Sequence, residues 1–224
     1  EGAEIRRYDG SRPQNTQHYF QTGLTYAVAK RSGRRFGILH HQSIFGHKGS
    51  VLIPEDDDAR WKMLGYTGSR FFTYLMLCQT AERMWEIGMV SKVPWFSELA
   101  DYQGLETATQ EIVGNLYGLR QSDFHSPHYQ GPLLHRLLPS KTQPGSSHAH
   151  HPHRDLADEL SVPEPPTVGF EVSLTELGTH AERFRQSIRQ QIEALAADLD
   201  RIIFDYFDID EEQRKEIYKE IAYR

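Results

Sequence analysis

Lys30, Arg31, Arg34, Arg35 and Lys48 are gathered on a stretch that also holds Gly33, Gly37, Gly46 and Gly49. Ammonium and guanidinium groups set this densely on a glycine-flexible backbone can meet phosphate oxygens at several points at once. The plainer reading of such a cluster is a solvated surface turn. On the residues alone the plainer reading leads, although the charge is spread unevenly along the chain. Residues 1–53 carry eight Lys/Arg against three acids, about +5, although the net charge is -6 and the remainder is therefore about -11. One end can attract a polyanion, and the rest repels it.

Other groups invite chemistry and support it less. His148, His150, His151 and His153 have the density to hold zinc, but their frame is PGSS and PHRD, with no cysteine or carboxylate at helical or knuckle spacing. They read as a solvated loop, and no metal site is expected. His40 and His41 are neighbours on a strand-like segment, so one should point inward and the other outward. No serine, cysteine or acid motif accompanies them, so neither reads as a catalytic base, and no catalytic residue is identified. The PEDDD run at 54–58 lacks the alternation of a calcium loop and reads as a helix cap. Trp61, Trp85 and Trp95 read as core anchors.

The elements that must position these residues follow from pattern. HYFQTGLTYAVA and SVLIP are aromatic and β-branched runs between glycines, which predicts short strands from His18 to Ile53. ARWKMLGYTGSRFFTYLMLCQTAERM reads as one buried helix, MWEIGMVSKVPWF as strand or extended chain, and SELADYQGLETATQEIVGNLYGL as a helix capped by Ser97. Residues 123–172 form a Pro/His-rich loop or linker, because eight of the eleven prolines fall between 123 and 169. From Leu174 to Tyr206 apolar residues recur every three or four positions on one stripe, with Ser173 and Glu176 as a capping box; a short last helix from about 211 to 222 would be capped by Asp208 or Asp210.

The expected fold is α+β: a small twisted, mostly antiparallel sheet with packed helices over 1–122, the linker, and a long helical segment over 173–224. With 38% hydrophobic residues the chain can bury a core. No apolar run approaches the ~18 residues of a membrane helix, and the first residues are not a signal sequence. The lone Cys78 excludes an internal disulfide and suits a reducing compartment, so a cytoplasmic location without membrane contact is expected. Starting at Glu1 rather than methionine, the sequence reads as a piece of a longer protein.

In order along the chain, HYFQTGLTYAV, GRRFGILHHQSIFGHKGSVLIP, KMLGYTGSRFFTYLMLCQT and MWEIGMVSKVPW resemble the target-recognition region of large bacterial adenine-N6 DNA methyltransferases, including restriction-linked and phage-exclusion (BREX-like) enzymes. That family typically runs YF…GLTW, a glycine-punctuated IF…G..IFP, LLGLLNS…YLL and Y.VG.I..IPIP. The likeness covers about residues 17–96, and ALAADLDRIIFDYFDIDEEQRKEI is similar to the family's closing helices. Here TGSRFF stands in place of the family's usual Asn-Ser pair, and MVSKVPW in place of its Ile-rich close. The chain has neither the (N/D/S)PPY tetrapeptide that holds a flipped adenine nor the F-x-G-x-G segment that holds S-adenosylmethionine. The resemblance therefore implies a reading head for double-stranded DNA whose methyltransferase domain or subunit, with its S-adenosylmethionine, lies elsewhere. Lys30, Arg31, Arg34, Arg35, His41, Gln42 and Lys48 would make the DNA contacts, with Arg34 and Arg35 reading bases. The alternative is a protein-interaction module that docks through the 174–206 helix and never touches DNA.

Overall fold

In the computed structural model of the chain, residues 14–29, 35–46, 49–57, 59–80, 84–96, 98–99, 102–126, 129, 131–138, 159–169 and 171–223 are described. After one 3-10 turn, Thr16–His18, come strands β1 (Gly23–Ala27), β2 (Phe36–Leu39) and β3 (Gly49–Leu52). β1 lies between the other two and is antiparallel to both, with Tyr26 opposite Phe36 and Ala27 opposite Gly49. Period-two alternation places Leu24 and Tyr26 on the face that joins Phe36 in the core. Gly23 must lack a side chain, since a Cβ there would press into the carbonyl oxygen of Leu52. The fold is α+β, as the pattern predicts.

The expected single helix after β3 is two, α1 (Ala59–Gly68) and α2 (Arg70–Gln79). Ser69 is extended, at φ -76 and ψ 160, and its hydroxyl accepts the Phe72 N–H at 3.1 Å. A serine able to cap after a glycine able to end a helix outweighs continuous periodicity. The break explains why apolar residues crowd more than one face of that stretch: Trp61, Leu64 and Tyr66 on α1, and Phe71, Phe72 and Met76 on α2, enter one core from two directions.

The segment expected to return to strand does so only at Met84, which bridges to Ala29; α3 (Ile87–Val90) follows as a single turn that buries Val90. α4 (Gln103–Arg120) has Tyr102 at its N-cap, so it is not the serine-capped helix read from sequence; Ser97 lies outside the described residues.

Parts of the stretch read as a linker are ordered against the helices. α5 (Leu133–Arg136) brings Leu133, with Leu137 just after it, onto Leu177 and Ala181 of α6 (Leu174–Tyr206). Residues 159–169 run as a strap along α4: a Cβ at Gly114 would strike the Ser161 carbonyl, and one at Gly118 would meet Pro163. Leu160 enters the main core, and the Val168 N–H donates to the Leu137 carbonyl at 2.8 Å. Few apolar residues suffice here, because they dock on a surface that is already built.

α6 carries the expected capping box, with Ser173 N–H donating to Glu176 Oε2 at 2.9 Å and Glu176 N–H to Ser173 Oγ at 3.3 Å. Its stripe packs on α4, burying Ile188, Leu199, Ile203 and Phe204, whereas Leu174 at its head is 82% exposed. Asp200, on the same helix, accepts the Arg70 N–H at 2.8 Å and so caps α2 from 130 positions away. α7 (Glu211–Tyr223) packs on α2 and is capped reciprocally by Asp210 and Gln213; Asp208, with φ 51, makes the turn between the helices. Sheet, α1, α2, α4, α6 and α7 share one hydrophobic core.

Candidate nucleic-acid interface

β2 is an edge strand, and Arg35, the one candidate cation of the basic stretch among the described residues, stands at one of its ends. Arg35 precedes it, and its carbonyl accepts the Ala27 N–H at 3.4 Å. Gly49, which opens β3, lies across Ala27 from there. The described flanks of the basic stretch, Ala29 and Arg35 on one side and Gly49 on the other, therefore meet at the same end of the sheet. Lys30, Arg31, Arg34 and Lys48 themselves lie outside the described residues, as do His148, His150, His151 and His153.

Arg35, from which base reading is expected, is engaged within its own hairpin. Its Nη1 donates to the carbonyls of Ala27 at 3.3 Å and Val28 at 3.1 Å, while the guanidinium carbon lies 4.3 Å from the Trp85 ring centre. Burial pulls its pKa down from the free value. The side chain is a strut that ties the hairpin to a buried tryptophan, which makes it poorly placed to reach into a groove.

His41 and Gln42 lie beyond the opposite end of β2, roughly 20 Å of extended chain from Arg35. The in-and-out alternation read for the histidine pair is present: His40 is 7% exposed and its Nδ1 accepts the Gln42 N–H at 3.4 Å, while His41 is exposed. Their rings lie 4.2 Å apart. The chain then crosses the sheet, because the Ser43 carbonyl accepts the Phe20 N–H before β1 and the Gly46 carbonyl accepts the Gly49 N–H at β3.

This crossing and the turn before β1 to which it bonds hold residues that sequence reasoning passed over. Phe20 is 60% exposed and Ile44 is 54% exposed, while the Tyr19 ring stands edge-on to Phe45 at 5.1 Å. A signal for the region was present in the composition: from Gly10 to Pro54 the chain has no Asp or Glu, although it holds 31 acids in all. The acid-free stretch includes all three strands and both connections.

The acids resume at PEDDD, and there they act as the helix-entry group expected. Asp56 and Asp57 carbonyls accept the N–H groups of Ala59 and Arg60, and Asp57 pairs with Arg60 at 3.3 Å. Among the described residues no group of three or more His, Cys, Asp or Glu could hold a metal ion. Trp61 and Trp85 are core residues; Trp95 is half exposed, 5.9 Å from Tyr66. Burial pushes the Tyr66 phenol far up, and its hydroxyl donates to the Pro94 carbonyl at 3.1 Å, a structural role. No described helix is long and apolar enough to cross a membrane.

The chain matches no family model, no curated protein and no solved structure.

Proposed function

We propose that this chain is the DNA sequence-recognition part of an adenine-N6 DNA methyltransferase in a restriction or phage-defence system. The observation that carries the reading is the acid-free run from Gly10 to Pro54, the longest in an otherwise acidic chain, which holds six Lys/Arg and spans a whole sheet and its connections. The order of the four sequence blocks supports the enzyme class. They contribute to one packed unit, in which Phe36, Phe72 and Trp85 are in mutual ring contact and Tyr26 packs on Phe36.

The chain is poorly suited to hold S-adenosylmethionine itself. Its described strand-to-helix turn from β3 to α1 is Pro54 followed by Glu55, Asp56 and Asp57 rather than a glycine cradle. The methyl-transfer step belongs to another domain or subunit, and the role of this chain is to select the duplex sequence and present it.

The alternative, docking on a protein partner through the 174–206 stripe, loses its main support. Most of that stripe is covered within the chain by α4 and α5.

The test is titration of the chain with a pool of random-sequence duplexes at several salt concentrations, followed by sequencing of the bound fraction. The expected result is salt-sensitive binding with an enriched sequence. Failure to bind duplex even at low salt would refute the reading.

A further inference from the structure

The geometry points to Phe20 as a wedge that enters a DNA base step, with Ile44 beside it; this inference rests on the DNA-recognition reading above. Phe20 has φ 64, in the left-handed region that ring side chains rarely adopt. The turn that carries it is held on both sides. His18 and Tyr19 N–H groups donate to the Asn15 and Thr16 carbonyls at 3.0 and 3.2 Å, and the Phe20 N–H donates to Ser43 at 3.1 Å. The exposed ring is thus presented by a hydrogen-bonded scaffold, and exposed Ile44 follows directly on Ser43, whose carbonyl accepts the Phe20 N–H. Tyr19 supports it from behind, edge-on to Phe20 at 6.4 Å and to Phe45 at 5.1 Å.

Two observations identify the occupant. The exposed polar residues of the two segments, Gln17, His18, Gln21, His41 and Gln42, are amides and imidazoles, groups that hydrogen-bond base edges. No acid lies in either segment, and the carboxylate that reaches the turn, Asp57, is occupied by the Thr22 hydroxyl and Arg60. Two exposed apolar side chains are also too few for the core of a protein interface, which buries about 800 Å² per partner. They match the dimensions of one opened base step, into which minor-groove proteins insert Phe, Leu or Ile.

The test compares wild type with Phe20→Gly and Phe20→Trp, using duplexes that contain 2-aminopurine, whose fluorescence rises on unstacking. Glycine suits the left-handed backbone better than phenylalanine, so Phe20→Gly should melt at the same temperature or higher. It should nevertheless bind roughly tenfold more weakly, as for loss of one base stack, and without the fluorescence rise. Phe20→Trp should retain both. If wild type and Phe20→Gly bind alike with no fluorescence change, the wedge is refuted while DNA recognition stands. If wild type binds no duplex, both fall.

Discussion

Asp200 shows which part of a buried polar contact matters. It is 5% exposed, accepts the Arg70 backbone N–H at 2.8 Å, and lies 3.6 Å from Arg70 Nε. The Arg70 side chain is more than half exposed, so the ion pair itself contributes little. The accepted backbone hydrogen bond, at a helix N-terminus and out of water, contributes most. Asp200→Asn keeps an acceptor and should cost about 1 kcal/mol, while Asp200→Ala should cost about 2 kcal/mol or more. Equal losses in urea denaturation would mean that the charge, not the acceptor, is what α2 needs. Arg35 illustrates the limit of reading residues singly. Sequence alone cannot separate Arg34 from Arg35, because which guanidinium folds back onto Ala27 and Val28 is decided by strand register and by the position of Trp85, about fifty residues away. A lysine lacks the planar fork that serves two carbonyls and a ring face together. Arg35→Lys should therefore lower stability by about 1 kcal/mol, and weaken binding to all duplexes alike rather than to one sequence. A loss confined to the preferred sequence would restore Arg35 as a base reader.

Among the elements, the most local were the most legible. α6 is written in its own sequence: a stripe at intervals of three and four, opened by Ser173 and Glu176, gives the helix without reference to anything outside it. The split at Ser69 was less legible, because apolar residues continue through it and only the tertiary arrangement shows that they face two ways. The strap at 159–169 was invisible, since its order comes from Gly114 and Gly118 on a helix some fifty residues earlier. These differences have measurable consequences. Ile188, 2% exposed, should tolerate aspartate far less than half-buried Leu195, with a loss of several kcal/mol against about 1–2 kcal/mol. Equal losses would show that the middle of α6 is not seated on α4. Alanine scanning of glycines should likewise divide by neighbourhood. At Gly178, where a Cβ would meet nothing, Gly→Ala should stabilise α6 by about 0.5–1 kcal/mol; at Gly114 it should destabilise, because the Ser161 carbonyl must move.

At the scale of the molecule, the governing fact is that a chain of net charge -6 gathers six Lys/Arg in its longest carboxylate-free stretch, Gly10 to Pro54. A polyanion would be repelled by most of the chain and attracted by this stretch, so on the proposed function the field would orient the encounter before any base is read. The candidate site was only partly legible for a related reason: charge excess is a sum over sequence and survives without a structure, whereas the exposure of Phe20 and Ile44 depends on a left-handed turn that no composition reveals. The orientation argument bounds the salt dependence. If contact is limited to Lys30, Arg31, Arg34, Arg35 and Lys48, at most five phosphates are neutralised, and the slope of log affinity against log salt should be no steeper than about -4.5. Arg35 is partly occupied by its own backbone, so the expected value is nearer -3.6, for about four contacts. Lys48→Ala should reduce it by about one further unit on cognate and scrambled duplexes alike, and neutralising Glu211 and Glu212 at the start of α7 should leave it unchanged. A slope steeper than five phosphates allow would bring Arg6, Arg7 or Arg12 into the interface. One insensitive to Lys48 would move the contact surface away from the sheet end where Ala29, Arg35 and Gly49 converge.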